Sequence, residues 1–219
     1  MVNWADIDNV LLDMDGTLLD LSFDNYFWLE FLPHKIAAHK DISMVEAQET
    51  VRSLSDSTHG SLRWYCLDHW SEQLSMDVEA LKKEVRHRIA MRPHCAEFLA
   101  FLKTLEKRVV LVTNAHPKAL AIKVEASNLH LHLEQMISSH EFDLAKENDG
   151  FWEALQERER LDLSRSLFVD DSLAVLECAH RSGIGHLIQV LHPDSGTQPS
   201  DPSHFQGIEH LDELMTWQN

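Results

Sequence analysis

Apolar positions in this chain follow two periodicities that take turns along its length. Short continuous apolar runs bounded by polar or turn residues occur at 10–12, 108–113, 136–139, 166–169 and 185–190. Such runs read as strands buried on both faces. The segments between them carry apolar residues three and four apart. Pro93 suits the first turn of a helix that presents Cys95, Leu99 and Leu102 on one face. Pro117 opens another, with Leu120 and Val124, and Asn128 supplies its left-handed end. Helices over 151–160 and from Ser172 to near Gly183 complete the series. Alternating strands and helices predict an α/β fold with a doubly wound parallel sheet and right-handed crossovers.

Residues 21–92 interrupt this alternation. Glycine is nearly absent there, aromatic residues are dense, and the period is helical throughout. Ser43 and Glu46 have capping-box spacing, and Asp77 precedes Val78, Leu81, Val85 and Ile89 at helical intervals. The pattern predicts an all-helical insertion of about four helices, set as a cap domain (21–92) into a core formed by 1–20 and 93–219. The Ser-, Pro- and Asp-rich stretch 194–207 reads as a surface loop before a last helix containing Leu211, Leu214 and Met215.

Composition narrows the class of function. Thirty-six acidic against nineteen basic residues give a net charge of −17, which repels nucleic acid polymers but leaves room for a small phosphorylated ligand beside local cations. No apolar run approaches the ~20 residues that span a bilayer, and the start lacks the basic and apolar segments of a signal peptide, so the expected location is cytoplasmic. Cys66, Cys95 and Cys178 are odd in number and widely spaced, which argues for a reducing compartment and for small buried apolar roles. Lys35, Lys40, Lys82 and Lys83 read as solvated. His130 and His132 have no third ligand at useful spacing. Oligomeric state is not encoded in any pattern.

Candidate chemistry concentrates where strands end. Asp13 and Asp15 follow the first apolar run, separated by one residue and terminated by Gly16. In extended chain both side chains address one point beyond the strand. Two crowded carboxylates need a compensating cation or a shared proton, and magnesium, with its preference for hard oxygen ligands, is the natural compensator; a turn that merely contains Asp and Gly is the alternative. Thr113 and Asn114 end the second strand, Asp170 and Asp171 the fourth, and Lys146 lies between. A parallel sheet brings these points to one edge.

The order D-x-D-G-T-L, apolar-T-N, Lys, D-D-S resembles the motif set of the haloacid dehalogenase-like hydrolase superfamily. The resemblance implies that Asp13 is a nucleophile forming an aspartyl-phosphate and that Asp15 is a general acid and base. Thr113, Asn114 and Lys146 would hold phosphoryl oxygens. Asp13, the Asp15 carbonyl and Asp171 would hold Mg2+, with Asp170 supporting it directly or through water. Asp15 favours phosphoryl chemistry over dehalogenation, since dehalogenases of the superfamily lack that second aspartate. One departure stands out: many members place proline after the motif lysine, whereas Lys146 is followed by Glu147 and Asn148.

The blocks LLDMDGTLLDLSFDNYFW, RWYCLDHWSEQL, TNAHPKALAIK and HPDSG are further similar to bacterial GMP/IMP 5′-nucleotidases. That resemblance implies a purine nucleotide as substrate. Tyr26, Trp28, Trp64, Tyr65 and Trp70 could stack on a base, although their helical spacing fits a helix–helix core better. Arg63 and Lys35 are candidates for base or ribose contacts, with solvated surface as the alternative. His116 reads as a pocket rim or as a helix cap. A phosphatase or mutase acting on small sugar phosphates, and a phosphate-binding module without turnover, are the competing readings.

Overall fold

The computed structural model describes residues 2–133 and 135–215, so Met1, Glu134 and 216–219 of the expected core lie outside the described residues. Six strands, β1 (Asn9–Leu12), β2 (Arg108–Thr113), β3 (Gln135–Ser138), β4 (Ser166–Asp170), β5 (His186–Val190) and β6 (Gln206–Ile208), form one parallel sheet in the order β3-β2-β1-β4-β5-β6. Alternate residues serve opposite faces. Val10 and Leu12 join a core containing Phe98, Leu99 and Leu102 of one helix and Ala119 of another, while Leu11 and Phe168 pack with Trp152, Leu155 and Leu176. Both faces are therefore buried, which is why β1 reads as continuous apolar sequence.

Helices occupy the chain between β1 and β2. They are α1 (Ser22–Tyr26), a π-helical turn (Phe27–Phe31), α2 (Leu32–Lys40), α3 (Met44–Thr58), α4 (Leu62–Tyr65), α5 (Leu67–Leu74), α6 (Val78–Glu84) and then α7 (Cys95–Thr104). The first three run on without a break. Leu32 N–H bonds to Phe27 C=O, five residues back, and this widened turn lets Pro33, which has no N–H to give, enter the helix. Ser43 and Glu46 make the expected capping box, and Asp77 caps α6 through the Ala80 N–H. After β2 come α8 (Pro117–Ser127), α9 (Phe151–Glu159) and α10 (Leu173–Arg181). No helix among the described residues is long and apolar enough to cross a membrane.

Three sequence expectations need correction. Pro93 lies before α7 rather than in its first turn, because His94 takes a left-handed conformation (φ 62°) as the N-cap. The stretch expected to be loop through 207 contains the start of β6, whose Gln206, Gly207 and Ile208 pair with β5. With only three residues and one apolar position buried, β6 carries too little pattern to be read. Leu211–Leu214 is a single 3-10 turn rather than a helix.

Candidate active site

The sheet reverses its strand order beside β1, and the carboxyl ends of β1, β2 and β4 converge there, the usual ligand position in open α/β sheets. Asp13 leaves the end of β1 with its N–H bonded to Val169 C=O of β4. Its carboxylate meets the Lys146 ammonium, which also donates to Asp170 Oδ2 at 2.7 Å and to Val112 C=O at 3.1 Å. Lys146 is only 2% exposed, so all three of its protons are committed inside the protein. Burial opposes its charge, yet Asp13 and Asp170 together hold the ammonium above the ordinary lysine range.

Asp171 completes a group in which Asp13, Asp170 and Asp171 each bring a carboxylate oxygen within 4.8 Å of the others. Burial pushes Asp13 up to about 6 despite Lys146. Burial and the charges of Asp170 and Asp13 push Asp171 well above the usual carboxylate range. Three carboxylates facing one ammonium leave a deficit of positive charge, and a hard divalent cation with oxygen ligands fits that donor set. Gly16 makes the approach possible: at φ +88° a Cβ there would fall 2.6 Å from Asp171 Oδ2. Its carbonyl accepts from Arg92 Nη1 at 2.6 Å, which anchors the turn. Gly16→Ala should therefore cost about 1–2 kcal/mol in backbone strain alone, visible as a lowered Tm, and should cut turnover by pushing Asp171 aside. A variant with wild-type Tm and turnover would show that the turn can relax.

Asp15 turns away from this group. Its carboxylate pairs with Lys123 of α8 at 2.7 Å, and Lys123 also meets Asp24 of α1 at 2.6 Å. Asp24 in turn binds Lys82 of α6 at 2.8 Å, and the Lys82 ammonium sits 4.4 Å from the centre of the Phe27 ring. Burial raises Asp15 to about 6 despite Lys123. Burial works against the Asp24 charge too, but Lys123 and Lys82 hold that carboxyl well below the usual range.

Lys82 thus corrects the expectation of a solvated lysine: it is 2% exposed. Lys123 was equally invisible as a site residue. A signal existed, since Lys123 falls four residues after buried Ala119, and Lys82 four residues after buried Val78, on the stripes that Ile122 and Leu81 continue at three-residue spacing. A lysine on the apolar stripe of a helix needs an internal carboxylate.

Thr113 and Asn114 border the same cavity as Asp13, Asp15, Lys146, Asp170 and Asp171. Asn114 Oδ1 accepts from the Lys146 N–H at 2.8 Å, fixing the lysine's backbone, and Thr113 Oγ1 accepts from the Ala115 N–H at 3.0 Å. Glu147 and Asn148, which replace the family's proline, both reach into the helical stretch. Glu147 accepts from Tyr65 Oη at 2.9 Å and from Asn114 Nδ2 at 2.8 Å, while Asn148 Nδ2 donates to Gly60 C=O at 3.1 Å.

The cavity encloses about 880 Å³, and its far wall is supplied by the helices between β1 and β2. Trp28, Trp64, Tyr65 and Trp70 stand on that wall, together with Arg52. Trp70 is core, its indole N–H bonded to Trp64 C=O, whereas Trp28 and Trp64 are only part-buried. Tyr26 is elsewhere, under the Arg88 guanidinium. Arg63 and Lys35 take the solvated alternative: Arg63 is exposed and away from the cavity, and Lys35 pairs with Glu84. His116 does both things expected of it, bordering the cavity and capping α8. Cys95 and Cys178 are buried as expected, but Cys66 is part-exposed.

Residues 10–188 match the family described as haloacid dehalogenase-like hydrolase. The chain is 44% identical over 195 residues to the GMP/IMP nucleotidase YrfG of Escherichia coli (strain K12), a match covering 89% of this chain and 88% of that protein. The GMP/IMP nucleotidase YrfG of Shigella flexneri matches with the same identity and coverage. Among solved structures, a HAD phosphatase from Thermococcus onnurineus superposes with a TM-score of 0.77 at 21% identity, covering 95% of this chain and 96% of the other. An L-2-haloacid dehalogenase from Xanthobacter autotrophicus gives 0.67 at 15% identity, covering 95% and 97%. At those identities the two structures speak for the fold alone. Sequence match over most of the chain, the parallel sheet and the acidic group at its switch point agree: the chain belongs to the haloacid dehalogenase-like hydrolases.

Proposed function

We propose that this protein is a magnesium-dependent phosphomonoesterase that hydrolyses purine nucleoside 5′-monophosphates, GMP and IMP, to nucleoside and phosphate. The observation that carries the proposal is the grouping of buried Asp13, Lys146 and Asp170 with part-exposed Asp171 on the floor of a cavity whose opposite wall is aromatic. The extended identity to GMP/IMP nucleotidases supports the choice of base. In this reading residues 21–92 act as a cap over a core of 1–20 and 93–219, and the aromatic wall belongs to the cap. Three free cysteines accord with a cytoplasmic location, and the charge of −17 disfavours polymeric nucleic acid.

Asp13 attacks phosphorus in line, forming the Oδ–P bond as the bond to the nucleoside 5′ oxygen breaks. Asp15 gives its proton to that leaving oxygen, then takes one from the water that releases phosphate. A carboxyl raised by burial to about 6 holds and yields a proton near neutral pH, and the Lys123 contact keeps it aimed. Thr113, the Asn114 backbone and Lys146 stabilise the phosphoryl oxygens as charge moves across them. Magnesium would be held by the Asp13, Asp170 and Asp171 carboxylates with the Asp15 carbonyl, and would supply positive charge against the phosphoryl group. Trp28 and Trp64 offer ring faces to the base, and Arg52, which lines the same wall and pairs with exposed Glu49, can exchange that partner for the base.

Phosphate release from a panel of nucleoside monophosphates and sugar phosphates tests the proposal. Release from GMP and IMP should vanish with chelator and return with magnesium. Metal-dependent release confined to sugar phosphates would discard the nucleotide and keep the chemistry. A folded protein that releases phosphate from nothing would point to a binding module. Trp64→Ala should reduce kcat/KM for GMP by roughly 5- to 100-fold, in line with ~1–3 kcal/mol per stacked base, and spare a small artificial phosphate ester. Equal losses on both substrates would remove the base-stacking role.

A further inference from the structure

We propose that Cys66, His116 and His140 form a second metal site, for a borderline-soft divalent cation of the zinc type, separate from the acidic group. The three side chains come from distant parts of the chain: Cys66 between α4 and α5, His116 at the start of α8, and His140 in the 3-10 turn Ser139–Phe142 after β3. One ligand atom from each lies within 4.8 Å of the other two. The two rings stand edge to face, 4.9 Å between centres. His140 Nε2 is fully buried with no hydrogen-bond partner among the described residues. The other ring nitrogen of His140 is directed at the Asn114 backbone. A metal-binding imidazole has this arrangement, with one nitrogen fixed by a carbonyl and the other left for the cation.

One sulfur and two imidazoles are a zinc-type donor set, and three protein ligands leave a fourth position open. Cys66 is the one cysteine that is not fully buried. Ligation through His116 Nε2, which lies 3.8 Å from Asp68 Oδ2, puts the ring proton on Nδ1 and gives up the α8 cap from the Lys118 N–H, a long contact at 3.4 Å. Because Cys66 belongs to the helical stretch and both histidines flank the Thr113–Asn114 loop and β3, a bound cation ties the two parts together at the rim of the cavity.

Cobalt(II) as a spectroscopic stand-in tests this on the full chain under saturating magnesium. The wild type and Asp171→Asn should both show thiolate-to-cobalt charge-transfer absorption that zinc abolishes by displacement. Cys66→Ser should lose the band while keeping the wild-type thermal unfolding curve. His140→Gln should weaken cobalt binding about tenfold or more, the scale seen for disrupted metal sites. The proposal is overturned by a folded wild type without the band, or by a band that survives in Cys66→Ser or binds as tightly in His140→Gln.

Discussion

Asp13→Asn should abolish phosphate release while leaving the protein folded. The amide has the size and shape of the carboxylate, so the 5% exposed pocket at the end of β1 stays filled. What it lacks is the electron pair and charge needed to attack phosphorus, and loss of a nucleophile that works in concert with its neighbours costs on the order of 10⁴- to 10⁶-fold in kcat. Stability should not follow activity down. Lys146 keeps Asp170 Oδ2 and Val112 C=O as acceptors, and a site that crowded three carboxylates around one ammonium now holds two. Thermal unfolding with chelator present and phosphate release with magnesium present separate the two effects. Turnover within tenfold of wild type would end the covalent role of Asp13, whatever the substrate.

The strand ends were legible from sequence for a reason the Asp13 environment makes plain. A parallel strand buried on both faces must be apolar along its whole length, so the first charged residue after 10–12 marks the edge of the sheet. The same logic located Thr113 and Asp170, because each closes a buried run. β6 and the last 3-10 turn failed the same test, being too short to show a period. Lys146 was legible only through the family pattern. Its burial depends on Asp13 and Asp170, which stand 133 and 24 residues away in the chain, and no local spacing records that. The cation network through Lys123 and Lys82 was missed for the opposite reason. A lysine defaults to solvent in any residue-by-residue reading, and its position on an apolar stripe is the one local mark of exception. Cys66, His116 and His140 lie 50 and 24 residues apart in sequence, so their meeting is a property of topology alone.

Lys123→Met should be strongly destabilising, costing about 3 kcal/mol and lowering Tm by roughly 10 °C. Methionine matches the aliphatic stem, and position 123 is already buried on α8, so the loss is electrostatic rather than steric. Lys123 is 3% exposed and stands between Asp15 and Asp24, 2.7 and 2.6 Å from their oxygens. Removing it leaves Asp15 with no salt-bridge partner and Asp24 with Lys82 alone, both part-buried at the cavity wall. Breaking such a pair from one side is costly because the remaining charge, part-buried, regains only part of its water. Adding Asp24→Asn to Lys123→Met tests that cause. The double variant should recover more than 1 kcal/mol, the coupling expected of residues in one network, because it removes a charge that had lost half its compensation. Chemical denaturation of the wild type, both single variants and the double variant closes the cycle. A Lys123→Met protein within about 0.5 kcal/mol of wild type, the range of ordinary surface changes, would show that water reaches Asp15 and Asp24 and that the link between α6, α1, α8 and the strand end carries no stability.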